Sequence, residues 1–363
     1  MLVHALFFAL GLATLVAGAE SLVRGASKLA LSMGVSPLVV GLTVVAFGTS
    51  APEMAVSVGA SLGGKPDLAV GNVIGSNIAN ILLILGIAAV IAPLMVAEQI
   101  IRQEIPVMIG ASVLMVVMAL DGSISRFEAA VLFLLVVAYT FFLIRQSRRA
   151  SADTTSDYAA EMPLDARWDR HWSVQLLLIA IGLAALVLGA HWLVESAVAF
   201  ARLFGVSDLV IGLTVVAVGT SMPEIATSLI AALRGQRDIA VGNVIGSNVF
   251  NIFAVLGVTG LVSAGGIPIS EAARNFDLWV MLAVAFACLP IMLTGREIAR
   301  WEGAVFLAYY AAYTAWLILA AQQHAALGAF SSIMLGYVMP LTVITLIVSI
   351  VRHNGSGKTP SAD

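Results

Sequence analysis

The 363-residue chain is too apolar for a water-soluble protein: 60% of its residues are hydrophobic, 11% are charged, and its mean hydropathy is +1.02. Soluble domains are about 45–50% apolar and about 25% charged. A cytosolic enzyme, a nucleic-acid-binding protein and a disordered scaffold are therefore excluded together, and the net charge of −3 indicates no electrostatic partner. The composition predicts an all-α polytopic membrane protein whose main surrounding is the lipid bilayer.

Cysteine and histidine give no sign of a cofactor or of enzymatic chemistry. Cys288 is the single cysteine, so neither an intramolecular disulfide nor a cysteine metal site can form. The five histidines are scattered and show no HExxH-type spacing. We therefore expect that the protein is not an enzyme and that it binds neither a cofactor nor a nucleic acid. No protein partner is inferred.

Eleven apolar segments approach the roughly 20 residues that a helical crossing needs. The first has no basic segment before it, so we expect it to stay in the mature chain rather than act as a signal peptide. In chain order the predicted spans one to eleven are 3–23, 37–61, 68–93, 105–120, 127–145, 173–200, 208–232, 239–263, 276–293, 302–321 and 331–351.

Lysine and arginine are distributed unevenly between the two sets of loops. With the N-terminus outside, 14 of the 18 lie on the inner side, and the other four are Lys65, Arg126, Arg202 and Arg274. Positive residues accumulate on the cytoplasmic side of membrane proteins. The distribution predicts a protein of the cell (inner) membrane with its N-terminus outside and its C-terminus in the cytoplasm.

One segment occurs twice in the chain. Residues 41–86, beginning GLTVVAFGTSAPE, recur without a gap at 212–257 as GLTVVAVGTSMPE, with 30 of 46 positions identical. Five spans separate the two starts, and this odd number inverts the second copy in the bilayer. Inverted repeats are typical of secondary transporters, which bind their substrate near the midplane where the copies meet.

The repeat divides the chain into four parts. A first five-helix repeat and a second one are joined by a polar cytoplasmic linker, and an additional helix with a disordered tail follows them. The predicted boundaries are 1–145, 146–172, 173–321 and 322–363 in that order.

Each repeat places one glutamate in the middle of an apolar span, Glu53 in span two and Glu224 in span seven. A carboxylate at this depth is costly and should face the bundle interior, a water-filled cavity or a bound ion. Structural pairing with a basic side chain is the alternative, but the cores of spans two, three, seven and eight contain no Lys or Arg. Two carboxylates brought together by the repeat predict a cation site.

A proline stands directly before each glutamate. Pro52 and Pro223 lack the N–H of a helical residue and clash with the carbonyl four residues earlier, so both helices should kink or break. The break is expected to free carbonyl oxygens near Ala46 and, in span seven, near Ala217. A packing kink is the alternative, but two kinks that each precede a buried glutamate favour ion binding.

Further oxygen ligands lie close to the glutamates along the helices. Thr49 and Thr220 are four residues before the glutamates and share their helical face. Hydroxyl, carbonyl and carboxylate oxygens are the ligands that hard cations prefer. Irregular backbone at this depth is tolerated where it is buried in protein or lines a cavity.

Spans three and eight each present a polar stripe on one helical face. Ion ligation and interhelical hydrogen bonding are both open for these side chains, whereas Asn77 and Asn248 point elsewhere and are expected to be structural. The glycines of the two GNVIG motifs are small-xxx-small pairs and predict close helix packing. The stripes, with members four residues apart, are Asn72, Ser76 and Asn80, and Asn243, Ser247 and Asn251.

The motifs GTSAPE and GTSMPE, each followed by GNVIGSN, resemble the two α-repeats of the calcium/cation antiporter superfamily, in particular the prokaryotic sodium/calcium exchangers. The resemblance covers essentially residues 1–325 and implies a ten-helix core of two inverted halves, with Ca²⁺ and Na⁺ bound between spans two, three, seven and eight. By motif position, it implies as ligands Glu53, Glu224, Thr49, Thr220, Ser50, Ser221, Ser76, Ser247, Asn80, Asn251 and the carbonyls of Ala46 and Ala217.

Two features of the chain differ from the family pattern. Microbial exchangers often have Asp where this chain has Asn251, so only two carboxylates remain in the site, and span eleven is additional. The resemblance implies an antiporter that exchanges Na⁺ for Ca²⁺ by alternating access, with spans one and six as a sliding gate. A proton-coupled Ca²⁺ antiporter is the nearest alternative, and a cation channel is the more distant one.

Overall fold

The computed structural model describes residues 2–161, 171–204, 217–345 and 347, with the backbone alone described for 148–161 and 217. Nearly all of these residues are helical, which confirms the all-α polytopic membrane fold. Spans one, three to six and eight to eleven are single long apolar helices. Their bounds are Leu2–Met33, Pro66–Ile91, Ile100–Asp121, Arg126–Ser147, Trp172–Leu203, Arg237–Val262, Ala273–Leu293, Arg300–Ala321 and Leu327–Thr345.

Span two is broken, as its proline predicts. The helices Pro37–Thr49 and Ala51–Leu62 meet at a bend of 40°. In span seven the described helices are Ala217–Thr220 and Met222–Leu233, so the same interruption occurs at Ser221, two residues before the second proline. The first part of span seven, residues 205–216, lies outside the described residues.

Two helices are longer than the apolar stretches that predict them. The first helix continues from the predicted end at residue 23 to Met33. The fifth span belongs to the helix Arg126–Glu161, which enters the predicted linker. Hydropathy marks the part of a helix that contacts lipid, whereas the helix itself continues while its backbone hydrogen bonds persist. Residues 162–170 and the predicted disordered tail lie outside the described residues.

Two short antiparallel sheets tie the repeats together at their loops. β1 (Leu94–Met95) pairs with β4 (Glu297–Ile298), and β2 (Ser123–Ile124) pairs with β3 (Ile267–Pro268). Paired strands lie on one side of the membrane, so an even number of crossings must separate them. The predicted order gives six crossings between β1 and β4 and four between β2 and β3, which fits an inverted repeat.

The core surrounds spans three and eight. In the apolar 18-residue stretch of span eight all residues (100%) are buried, and in that of span three 72% are buried. In the corresponding stretch of span eleven 0% are buried. Span eleven packs on span ten, where the Tyr309 hydroxyl hydrogen-bonds Thr342 Oγ1 at 2.6 Å and Trp316 Nε1 donates to Ser331 Oγ at 3.1 Å. The additional span therefore lies at the periphery, away from the polar stripes.

Spans one and six pack against each other along glycines. A Cβ atom added at Gly18 would lie 2.8 Å from the Leu186 backbone nitrogen, and one added at Gly182 would lie 2.6 Å from that of Leu22. These separations leave no room for any side chain. The two backbones are in direct contact over this part of the interface.

Candidate cation site

The interruptions in spans two and seven place both glutamates at helix starts inside the bundle. Ser50 and Ser221 have ψ angles of 3° and 9°, so the helix ends there and a new one begins. Glu53 and Glu224 lie in the first turns of the new helices. The N-terminus of a helix carries a partial positive charge that stabilises a carboxylate close to it.

The two glutamates are held by a crossed pair of serines. Ser50 Oγ donates to Glu224 Oε1 at 3.5 Å, and Ser221 Oγ donates to Glu53 Oε1 at 3.3 Å. Both glutamates are 1% exposed. Among the described residues, no Lys or Arg forms an ion pair with either one. Structural pairing with a basic residue is therefore not what holds them in this part of the chain.

Several oxygen atoms of the predicted ligand set are buried without a hydrogen-bond partner. Unpaired buried polar atoms are rare in native proteins and cost about 1–3 kcal/mol each. Five of the six such atoms in the described part of the chain belong to predicted ligands, and the sixth is Thr227 Oγ1. The five are Glu53 Oε2, Glu224 Oε2, Asn80 Oδ1, Asn251 Oδ1 and Ser247 Oγ.

These atoms form the donor set of a hard cation. Carboxylate, amide and hydroxyl oxygens suit Na⁺ and Ca²⁺, and a cation would satisfy acceptors that the protein leaves unpaired. No third Asp, Glu, His or Cys joins a metal-binding group within the described ranges. The chemistry of the cluster therefore fits a transported alkali or alkaline-earth ion.

The threonines and backbone carbonyls are more occupied than the sequence predicts. Thr49 Oγ1 lies 3.2 Å from Asn243 Oδ1 and 3.4 Å from the carbonyl oxygen of Ala46. That carbonyl also accepts the Ser50 amide at 3.0 Å, so it is not freed by the break. The ligand roles of Thr49 and of the carbonyl stay predictions.

The corresponding atoms of span seven show a related pattern. Thr220 Oγ1 donates to Asn72 Oδ1 at 3.3 Å. The Ser221 amide donates to the carbonyl of Val218, at 3.2 Å. The backbone of Ala217 belongs to the described helical segment before the interruption. As in span two, the ligand roles of Thr220 and of the Ala217 carbonyl stay predictions.

The first asparagine of each stripe is engaged in interhelical hydrogen bonds. Asn72 Nδ2 donates to Ser57 Oγ at 3.0 Å and to the Glu53 carbonyl at 3.1 Å. Asn243 Nδ2 donates to Ser228 Oγ at 3.0 Å. For these two residues the interhelical alternative is correct, because their amides attach span three to span two and span eight to span seven.

The glycines of the second GNVIG motif allow close packing, as predicted. A Cβ atom at Gly246 would lie 2.8 Å from the Leu42 carbonyl oxygen, and one at Gly242 would lie 3.1 Å from Leu38 Cδ1. The equivalents of these leucines, at 209 and 213, lie outside the described residues. The packing prediction is thus confirmed for span eight alone.

Buried polar groups outside the predicted set were missed by sequence reasoning. Thr227 is 0% exposed, and the repeat gives no warning of it because Val56 occupies the equivalent position. Two acid–tyrosine pairs also occur, with the Tyr139 hydroxyl on Glu104 at 2.7 Å and the Tyr313 hydroxyl on Asp277 at 2.9 Å. An acidic residue at the predicted start of span four and of span nine was the available signal.

The acidic residues that the sequence places near the ends of spans one and six lie at the surface. Glu20 pairs with Arg234 of the loop after span seven. Glu195 lies 3.6 Å from His191, one helical turn away. The Glu195 side chain is 68% exposed and the His191 side chain is 70% exposed. Neither belongs to the cluster around Glu53 and Glu224.

Known proteins are similar to this chain over nearly its whole membrane region. The sodium/calcium exchanger protein family matches residues 3–145 and 174–319. The sodium/calcium exchanger MaX1 of Methanosarcina acetivorans is 36% identical over 343 residues, covering 86% of this chain and 97% of that protein. The inner membrane protein YrbG of Escherichia coli is 38% identical over 289 residues, covering 80% and 89%.

A solved structure shows the same fold. The sodium–calcium exchanger NCX_Mj, soaked without Na⁺ and Ca²⁺, superposes with a TM-score of 0.73 at 33% identity, covering 85% of this chain and 97% of that one. The fold, the sequence match and the buried oxygen cluster all indicate the same protein family. The chain belongs to the sodium/calcium exchanger family of membrane cation antiporters.

Proposed function

We propose that this protein exchanges Na⁺ for Ca²⁺ across the inner cell membrane, with both ions bound in turn between spans two, three, seven and eight. The supporting observation is the pair of buried glutamates. In each, a crossed serine holds one carboxylate oxygen, and the other oxygen has no hydrogen-bond partner. The proposed ligands are the twelve residues that the family resemblance implies.

The charge of the site makes the exchange mutually exclusive. Two ionised carboxylates give a charge of −2, which one Ca²⁺ neutralises. Several Na⁺ ions use the same oxygens, so the two cargoes compete rather than travel together. If three Na⁺ were bound, the loaded site would have one excess positive charge, and moving it is worth about 2.3 kcal/mol per 100 mV.

Alternating access is assigned to spans one and six. Their contact along Gly11, Gly18, Gly182 and Gly189 brings the two backbones together without intervening side chains. A smooth backbone surface presents no side-chain knobs that resist sliding.

In the proposed orientation the N-terminus is outside, and the loops containing β1 and β4 lie on the cytoplasmic side.

Two other functions remain to be separated by experiment. A proton-coupled Ca²⁺ antiporter would also use carboxylates, but the unpaired hydroxyl and amide oxygens of Ser247, Asn80 and Asn251 favour a metal ion over a proton. A cation channel would show non-saturating flux that needs no ion on the opposite side.

The test is ⁴⁵Ca²⁺ uptake into proteoliposomes with a Na⁺, K⁺ or pH gradient imposed in turn. Exchange predicts saturable uptake that is driven by internal Na⁺ and is absent without it. Uptake driven by the pH gradient alone would favour proton coupling. Uptake without any ion on the opposite side would contradict exchange altogether.

A further inference from the structure

Four buried asparagines form two hydrogen-bonded pairs between spans three and eight. Asn80 Nδ2 donates to Asn248 Oδ1 at 3.1 Å, and Asn251 Nδ2 donates to Asn77 Oδ1 at 3.1 Å. All four side chains are at most 2% exposed. In each pair one asparagine belongs to the proposed ligand set, and the other comes from the opposite repeat.

The far end of each pair is a methionine sulfur. Asn248 Nδ2 lies 3.3 Å from Met108 Sδ, and Asn77 Nδ2 lies 3.7 Å from Met281 Sδ. A thioether accepts hydrogen bonds weakly and cannot donate. We call Asn77 and Asn248 the outer asparagines, and Asn80 and Asn251 the inner ones. The sulfur therefore accepts the amino group of each outer asparagine, and the carbonyl oxygen of that outer asparagine faces its inner partner.

This arrangement fixes the direction of the inner amides. An amide has a donor branch and an acceptor branch of nearly equal size, and its hydrogen bonds decide which branch points where. Because the outer oxygens take the amino groups of Asn80 and Asn251, the Oδ1 atoms of these two residues point away from the pair. Both Oδ1 atoms are buried without a hydrogen-bond partner.

The backbone supports the same placement. A π-helical turn begins at each inner asparagine, over Asn80–Leu85 in span three and Asn251–Leu256 in span eight. Such turns are rare and occur frequently at functional sites, because they rotate side chains relative to the preceding helix. The two repeats thus build the same device twice.

We propose that Asn77 and Asn248 are positioning residues that make Asn251 and Asn80 present oxygen, rather than an amino group, to the transported cation. This inference rests on the proposed function. An amino group turned toward a cation would repel it, so loss of the outer asparagine should weaken ion binding without any direct contact between that residue and the ion. Each repeat orients the ligand of the other.

The test uses a carboxylate, which needs no orientation because both of its branches are oxygen. ⁴⁵Ca²⁺ binding to the purified protein in detergent, without Na⁺, is measured for Asn77→Leu in the native background and with Asn251→Asp. We expect affinity to fall about tenfold in the native background, the scale of one misoriented neutral ligand. With Asn251→Asp the same change should cost about twofold or less.

The matched control exchanges the partner. With Asn80→Asp, the Asn77→Leu change should keep its full cost, because Asn77 orients Asn251 alone. The mirror experiment pairs Asn248→Leu with Asn80→Asp and uses Asn251→Asp as its control. Asn77→Ser, which keeps a hydroxyl on a shorter side chain, serves as the second variant if Asn77→Leu does not elute as a monodisperse protein.

Each outcome decides a separate question. An equal loss in all backgrounds would assign Asn77 to packing and overturn the inference, as would a complete loss of Ca²⁺ binding with Asn251→Asp. Dependence on the residue at position 251 supports it. A native protein that binds no Ca²⁺ would instead remove the proposed function, and the inference with it.

Discussion

The two repeats are nearly the same in sequence around the site, yet they use their hydroxyl groups differently. In the first repeat, Ser76 Oγ lies 3.3 Å from Ser221 Oγ. Ser247, the counterpart of Ser76 in the second repeat, has no hydrogen-bond partner for its hydroxyl. Asn72 is partly exposed, whereas its counterpart Asn243 is 0% exposed. The glutamates and their crossed serines remain equivalent in both halves.

This difference shows how one motif can serve two parts of the proposed transport site. In inverted-repeat transporters the two halves rock or slide around a fixed site, so their surroundings need not be the same at a given moment. The paired glutamates form the symmetric centre, and the stripe residues around them differ in partners and exposure. The following predictions test which features are shared by the repeats and which belong to one.

The largest effect is expected at the symmetric centre. Glu53→Gln and Glu224→Gln should each abolish Na⁺-driven ⁴⁵Ca²⁺ flux, because the amide keeps the size but removes a charge that a divalent ion needs. Removing one partner of a buried contact between opposite charges, here a carboxylate that would face Ca²⁺, costs about 3–5 kcal/mol, which is a loss of more than about a hundredfold. Glu195→Gln, at a 68% exposed side chain, is the control and should transport normally. Near-normal flux in either buried variant would remove the site.

Inversion of the repeats predicts opposite labelling of equivalent loops. Lys65→Cys and Gln236→Cys occupy the same position in the two repeats, and Cys288→Ala provides the background. A membrane-impermeant thiol reagent should label the first from outside and the second from the cytoplasm. Ala152→Cys, in the linker, should label with the second. Labelling of positions 65 and 236 from one side would contradict the inverted arrangement.

The glycine contact between spans one and six should matter for movement more than for binding. Gly18→Ala and Gly182→Ala place a methyl group 2.8 and 2.6 Å from backbone nitrogens, so the helices must separate. Overpacking of this kind costs about 1–3 kcal/mol, and we expect exchange to slow about tenfold while Ca²⁺ affinity in detergent stays within about twofold. Gly110→Ala, where an added Cβ meets no atom within 4 Å, is the matched control. Equal rates in all three variants would argue against a sliding gate.

The smallest effect concerns the unequal serines. Ser247→Ala removes a hydroxyl that has no protein partner, whereas Ser76→Ala removes one that already contacts Ser221. A hydroxyl that is free for the ion should be worth about 0.5–1.5 kcal/mol, so Ser247→Ala should raise the half-saturating Na⁺ concentration by about twofold to thirteenfold. Ser76→Ala should change it less. An opposite ranking would show that the hydrogen-bond pattern does not report on ion access.

Much of the fold could be predicted because membrane crossings depend on local composition. Apolar length gave the order of the spans, and Pro52 gave the break in span two. The predicted end of the first span was wrong, since a helix continues beyond the lipid wherever its backbone remains hydrogen-bonded. The predicted linker, which starts at residue 146, begins with the last part of the helix Arg126–Glu161.

The candidate site was accessible to sequence reasoning in its charges but not in its hydrogen bonds. Glu53 and Glu224 stand out because a carboxylate in an apolar span needs an explanation. The pairing of Asn77 with Asn251 depends on how spans three and eight cross, which no local pattern contains. Thr227 gave no signal because its counterpart, Val56, is apolar.

The central claim is that one set of oxygens binds Na⁺ and Ca²⁺ in turn. Equilibrium ⁴⁵Ca²⁺ binding to the purified protein, measured as Na⁺ is raised at constant ionic strength, tests it without a membrane or a gradient. Shared ligands predict that Na⁺ raises the apparent Kd for Ca²⁺ more steeply than linearly and leaves the number of bound Ca²⁺ ions per chain unchanged. A Kd that is independent of Na⁺, or a fall in the number of binding sites at constant Kd, would contradict the claim.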